Sequence, residues 1–254
     1  MAGGTKGRAK LAMGEGVSAW LLEAPDGFGD AQFHAHHAIQ ISICLSGEIT
    51  LATAAERLSG GTVAIAADAR HCFEARGLIA FLFVEPESRV GRTLTAKLFA
   101  NGELASIDND AFAREAELLG SSLDREDSRA FMLATAARAL DHLAPITCTR
   151  RPDERVQRII DYASTHLDRP LTLESAATGV YLSGSRLRHL FVEQTGLAFR
   201  TYLLWLRLVN AIAVYSEGAS LTEAAHLSGF SDSAHFSRVF KRTFGLPATT
   251  LTRL

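Results

Sequence analysis

Two stretches of the chain, residues 172–196 and 220–245, follow one internal plan. In each, a hydroxyl-bearing residue opens a short helix, a few residues turn the chain, and a second helix ends in glycine. In the first stretch Thr172 caps a helix carrying Leu173, Ala176 and Ala177, and Val180-Tyr181-Leu182 makes the turn. Ser183 then caps a helix whose inward stripe is Leu187, Leu190 and Phe191. In the second stretch Ser220-Leu221-Thr222-Glu223 reads as a capping box, in which hydroxyl and carboxylate each satisfy a free backbone N–H. Gly229-Phe230 forms the corner, because glycine accepts the positive φ that a tight corner needs. Asp232 or Ser231 caps the last helix, Phe236, Val239 and Phe240 point inward, and Phe244-Gly245 ends it. This is the helix-turn-helix plan, written twice.

The second helix of such a pair is the one shaped to enter a major groove. Its outward face then needs hydrogen-bonding and cationic side chains. The first unit offers Ser185, Arg186, Arg188 and His189; the second offers Ser233, His235, Ser237, Arg238, Lys241 and Arg242. No acid stands within 185–189 or 233–242, as a surface facing phosphates requires. A single charged helix face is usually only solvated; two units with matching plans favour nucleic acid. Between them, residues 199–217 read as one helix with Tyr202, Leu206, Val209, Ala213 and Tyr215 apolar. At ~1.5 Å per residue it spans about 28 Å, close to the ~34 Å between successive major grooves on one face of a duplex.

Residues 155–251 resemble the C-terminal DNA-binding domain of AraC/XylS-type transcriptional regulators. The matching residues are Leu182-Ser183, Leu187, Leu190-Phe191 and Thr195-Gly196 in the first unit, then Tyr202, Leu206-Arg207-Leu208 and Ala211. In the second they are Ala224-Ala225, Gly229-Phe230-Ser231-Asp232, His235 through Arg242, and Phe244-Gly245. Gly184 stands where the family usually has proline, Ala224 replaces a larger aliphatic, and Pro247 lies one residue early. The resemblance implies a bacterial regulator with one recognition helix per unit in neighbouring grooves. It implies base contacts from Ser185, Arg188, His189, Ser233, His235 and Arg238, and phosphate contacts from Ser183, Arg186, Lys241 and Arg242, with Arg207 a further phosphate candidate.

The first half reads differently. Short apolar or alternating runs at 17–23, 39–45, 49–53, 62–66 and 78–84 predict strands. Pro25-Asp26-Gly27, Ser46-Gly47-Glu48 and Ser59-Gly60-Gly61 read as the turns between them. After Pro86 the period becomes helical over 88–100, 110–119 and 125–143. The predicted architecture is α+β in two domains: an N-terminal cupin-like β-barrel with appended helices, and a C-terminal all-α tandem helix-turn-helix. Its boundaries are a flexible tail at 1–16, a sensor barrel at 17–86, helices at 87–144, a linker at 145–152 and the DNA-binding domain at 153–254. Charge divides the same way: residues 151–254 carry a net +3 and residues 1–150 a net −5. In the third predicted helix Phe131, Leu133, Ala134, Ala137, Leu140 and Leu143 lie on overlapping stripes, one of which is free to join a second subunit.

His34, His36 and Gln40, followed by Gly47, resemble the first cupin motif, and His71 marks the place of a second. Such a set suits iron, manganese or zinc. Gln40 stands where that motif has Glu and withholds the only negative charge, so no metal or other cofactor is expected. Instead His34, His36, Gln40 and His71 are read as lining an effector pocket, with a metal as the alternative. His37 is placed on the outward face by strand alternation. The competing function is a cupin-type metal-dependent enzyme with a helical appendage. It leaves residues 155–251 unexplained, so an enzyme is not expected. The implied partners are double-stranded DNA, a small-molecule effector, a second copy of the chain and RNA polymerase. No apolar run reaches the ~18 residues of a membrane span, and the start lacks a secretory h-region. Cys44, Cys72 and Cys148, an odd and scattered set, predict a reducing compartment, the cytoplasm.

Overall fold

The computed structural model describes residues 7–126, 128–145 and 153–252. Most of the expected linker therefore lies outside the described residues. By their contacts, Met1–Cys148 with Phe240–Leu254 form one compact unit and Thr149–Val239 the other.

The first unit is an all-antiparallel sheet built from β1 (Arg8–Gly14), β2 (Val17–His34), β3 (Ile39–Ala52), β4 (Arg57–Ser59), β5 (Thr62–Ile65), β6 (His71–Val84) and β7 (Leu104–Ser106). The hydrogen-bonded order is β1-β2-β6-β3-β5-β7, with β4 on β3; among the described residues the two ends of this path are not joined. The tail expected at 1–16 is corrected: Arg8–Gly14 pairs with β2 in unbroken register from Arg8↔Glu23 to Gly14↔Val17. Burial of Ala9, Leu11 and Ala12 holds it there.

Two of the expected turns are bends inside long strands. Pro25-Asp26-Gly27 lies in β2 at a register shift between Ala24 and Phe28. Ser46-Gly47 lies in β3, where Gly47 faces Gly77 of β6. Both glycines have positive φ, +90° and +92°. A Cβ on Gly47 would come within 2.1 Å of the Arg76 carbonyl, and one on Gly77 within 2.3 Å of the Ser46 carbonyl. The paired glycines let both strands kink at one place.

Three helices cover the sheet: α1 (Arg89–Leu98), α2 (Ala113–Ser121) and α3 (Arg129–Leu143). Met132, Ala136, Ala139, Leu140 and Leu143 of α3 pack into a core with Leu21, Ile39, Ile41, Ile43, Leu82 and Val84. Full burial of a Leu, Ile or Met side chain contributes about 1.5–3 kcal/mol, so α3 is part of the core. Leu140 and Leu143 are thereby removed from the surface stripe expected for dimer contact, which keeps Ala134 and Ala137 exposed.

The second unit contains α4 (Glu154–Ser164), α5 (Leu173–Ala176), α6 (Gly184–Thr195), α7 (Phe199–Ser216), α8 (Leu221–Leu227) and the start of α9 (Ser233–Phe244). Its core joins Val156, Ile159, Leu173, Leu187, Phe191, Tyr202 and Leu206. Phe191 meets Phe199 and Tyr202 edge-on, each at 5.4 Å between ring centres. No single helix among the described residues is long and apolar enough to cross a membrane.

Candidate nucleic-acid interface and histidine cluster

Local capping sets the ends of both helix pairs. Thr172 and Ser175 form a reciprocal capping box, Thr172 Oγ1 accepting from Ser175 N at 3.1 Å. Ser220 and Glu223 form the second, with Ser220 N donating to Glu223 Oε2 at 2.9 Å. The Ser220 hydroxyl and backbone hydrogen bonds hold the Glu223 carboxyl below the usual range. Ser183 caps α6 by accepting from Arg186 N. Of the two candidates at the last helix, Asp232 is the cap: its Oδ1 accepts from His235 N at 2.6 Å. That bond, with one from the Ser231 hydroxyl, holds Asp232 below the usual carboxylate range. Anchored at both ends, α6 and α9 turn their apolar stripes inward. Leu187, Phe191, Phe236, Val239 and Phe240 are buried.

The residues implied as DNA contacts fall on the opposite faces. Ser183, Ser185, Arg186, Arg188 and His189 are exposed on α6, and Arg238, Lys241 and Arg242 on α9. Ser233 and His235 are half-buried, the His235 ring standing edge-on to Phe230 at 5.2 Å. Arg188 is ion-paired with Glu174 of α5 at 3.0 Å. Both groups are exposed, and such a pair is worth at most about 1 kcal/mol, so phosphate or a base edge readily displaces it.

Arg207 is corrected. It donates through Nε to the Leu167 carbonyl at 3.1 Å and through Nη2 to the Arg169 carbonyl at 3.0 Å. It ties α7 to the loop after α4 and does not face outward to phosphate. Sequence reading missed Tyr181, whose side chain is 98% exposed in the turn before α6. A phenol at that corner presents a hydroxyl donor beside the recognition helix. The signal available was a tyrosine outside both apolar stripes.

In the sheet unit the register places His34 opposite His71. The His36 ring lies 4.9 Å from that of His71, and the His34 ring 4.3 Å from it. All three are buried, and one nitrogen from each lies within 4.8 Å of the others. Gln40, also buried, places Oε1 3.0 Å from His36 Nε2. The expected set of four is therefore brought together. On the side of Gln40 away from the histidines, the space it shares with Trp20, Phe73, Phe81 and Phe83 is about 10 Å³, against the hundreds of Å³ typical of organic ligands. Burial, with the neighbouring imidazoles, depresses His36 to about 4 and His71 to about 2, so both are neutral near pH 7.

His37 is also corrected. The stretch from Ala35 to Ala38 is not strand, so alternation does not apply. The ring is buried, with Nδ1 2.8 Å from Asp68 Oδ2 and Nε2 3.4 Å from Glu87 Oε2. Burial opposes its charge, but the carboxylates of Asp68 and Glu87 prevail and raise its pKa to about 9.

With this geometry the comparisons with known proteins agree. The family model for a helix-turn-helix domain matches residues 176–253. The chain is 31% identical over 110 residues to the uncharacterized HTH-type transcriptional regulator YpdC of Escherichia coli K12, covering 43% of this chain and 39% of that one. It is 34% identical over 93 residues to the HTH-type transcriptional activator RhaS of Citrobacter koseri, covering 36% of this chain and 34% of that one. The chain thus spans about a third to two fifths of the length of these relatives. Over 98% of its own length it shares the fold of ToxT from Vibrio cholerae O395, at 14% identity, a TM-score of 0.58 and 99% coverage of that chain. The second half of the chain is a tandem helix-turn-helix DNA-binding domain. It is similar to the HTH-type transcriptional regulators named above over part of their length, and an antiparallel sheet domain precedes it.

Proposed function

We propose that the chain is a bacterial, sequence-specific transcriptional regulator of AraC type, acting in the cytoplasm, which lays α6 and α9 into neighbouring major grooves of double-stranded DNA. The observation that carries this reading is the pair of side-chain-capped helices, each with cations outward and no acid on its reading face. Base contacts are assigned to Ser185, Arg188, His189, Ser233, His235 and Arg238. Phosphate contacts are assigned to Ser183, Arg186, Lys241 and Arg242. RNA polymerase is the proposed recipient of the signal. ToxT has been solved with an unsaturated fatty acid bound; for this chain an effector is proposed on the buried polar cluster of the sheet domain.

The test uses a duplex selected by binding from a random library. Arg238→Ala should cost about 1–3 kcal/mol on the selected duplex and relax preference at one base pair. Lys241→Ala should weaken all duplexes alike and lower the salt slope by about one. Equal losses for Arg238→Ala on selected and random duplexes count against base reading.

A second copy of the chain is the further partner proposed, through the face of α3 that keeps Ala134 and Ala137 exposed. Light scattering at micromolar concentration should give a dimer, and Ala134→Glu should shift it towards monomer. A wild-type monomer under those conditions rejects the arrangement.

A further inference from the structure

Each histidine of the buried cluster is oriented by a backbone carbonyl. His34 Nδ1 lies 3.3 Å from the Gln32 oxygen, His36 Nδ1 3.0 Å from that of Ala38, and His71 Nδ1 2.9 Å from that of Ala69. A carbonyl only accepts, so Nδ1 carries a hydrogen in each ring, and in His36 and His71, neutral near pH 7, Nε2 keeps its lone pair. This fixing of the far nitrogen is how proteins orient imidazoles that ligate metals. His71 Nε2 is buried with no hydrogen-bond partner among the described residues. At His36 the conflict is sharper: its Nε2 lone pair faces Gln40 Oε1 at 3.0 Å. A cation between the two atoms resolves this. So does turning the amide over, and the experiment below separates the cases.

The donors decide the kind of cation. Imidazole nitrogens suit zinc, copper, nickel, cobalt and iron, whereas magnesium and calcium require oxygens. The carboxylates of Asp68 and Glu87 on the neighbouring His37 are engaged with its ring. Metal–imidazole bonds are about 2.0–2.1 Å, so two nitrogens on one ion stand at most about 4.2 Å apart, and rings whose nitrogens lie within 4.8 Å of one another draw together to hold it.

We propose that His34, His36 and His71 bind a divalent first-row transition metal ion, with the Gln40 amide oxygen beside them, and that this ion is the signal the regulator receives. The signalling part rests on the regulator reading above; the site itself does not. The sequence alone argues against a metal, because Gln40 brings no charge. The three converging buried imidazoles argue for one.

The experiment strips the full chain with chelator and titrates it with cobalt(II), followed by its visible absorption, and with zinc(II), followed by calorimetry. One equivalent of each is expected, with the intense visible band of nitrogen-ligated cobalt and a rise in melting temperature. Magnesium and calcium should give neither. His71→Gln should abolish the band while the metal-free melting temperature stays near wild type, and His34→Gln serves if that variant does not fold. No cobalt bound, or a band that persists in both variants, overturns the site and leaves the turned amide as the account of Gln40. Affinity for the selected duplex should change at least about tenfold on zinc addition. Stoichiometric metal with unchanged duplex affinity overturns the signalling role. Metal-free protein that binds the duplex while showing no cobalt site counts against this inference alone. Protein that binds no duplex with or without zinc counts against the regulator reading and removes the signalling role with it.

Discussion

Replacing Gly229 with alanine should destabilise the helix-turn-helix unit by about 3 kcal/mol or more and abolish DNA binding, because backbone strain and a core overlap combine. The residue has φ +76°, which an L side chain adopts at a cost of about 1–2 kcal/mol. Its added Cβ would stand 2.0 Å from the Leu167 carbonyl oxygen and 2.8 Å from Arg207 Nε. That oxygen is the one Arg207 donates to, so the methyl would also break the tie between α7 and the loop after α4. Gly218 supplies the control. Its φ is +101° with nothing within 4 Å of a Cβ, so Gly218→Ala should show the backbone cost alone, about 1 kcal/mol. Urea midpoints of the two variants measure the difference, and equal shifts would show that Leu167 simply moves aside.

The sheet unit should lose stability as the pH is raised from about 6.5 to about 9. His37 has a pKa of about 9 in the folded chain, against about 6.5 in an unfolded one. Below 6.5 the ring is charged in both states and the attraction of Asp68 and Glu87 contributes fully. Between the two values the unfolded chain has lost its proton and the folded chain has not, so the contribution declines; above 9 it is gone. The span corresponds to about 3 kcal/mol. Glu85, raised to about 7 by burial and by the charge of Glu87, with Glu15 adding to it, acts in the same direction. Its folded-state pKa also lies above the unfolded value, and its contribution is lost as the pH rises through 7. Chemical denaturation of metal-free protein at a series of pH values reads this slope. In His37→Gln the decline above pH 7 should vanish. A wild-type slope in that variant would move the effect to another group.

What the sequence makes legible follows the range of the forces involved. The caps at Thr172, Ser183, Ser220 and Asp232 are bonds to a backbone three residues away, so the helix pairs can be read without the fold. The contacts that correct the reading are long-range. Gly47 reads as a turn because nothing local reveals Gly77 across from it. Arg8 and Lys10 belong to a strand partly because they reach Asp124 and the carbonyls of Ser122 and Arg125, more than a hundred residues on. Arg207 looks like a phosphate ligand until the Leu167 carbonyl is placed beside it. At the histidines, spacing identifies the residues, but their convergence appears only once the strand register sets His34 opposite His71.

Helix α7 is continuous over 18 residues between the two helix pairs, and this sets how such a chain can change its target. One residue inserted in α7 would advance all that follows by about 1.5 Å and rotate it by about 100°. The second reading face would then be out of phase with its groove, and a second insertion would not restore it. Only three or four added residues return the face to the same side, and they shift it by about 5 Å, which no longer fits the same pair of sites. New specificity is therefore open to substitution on α6 and α9 but closed to drift in the length of α7. On the proposed reading, the distance between the two recognised segments of DNA is inherited as a fixed quantity, while the bases within each are free to vary.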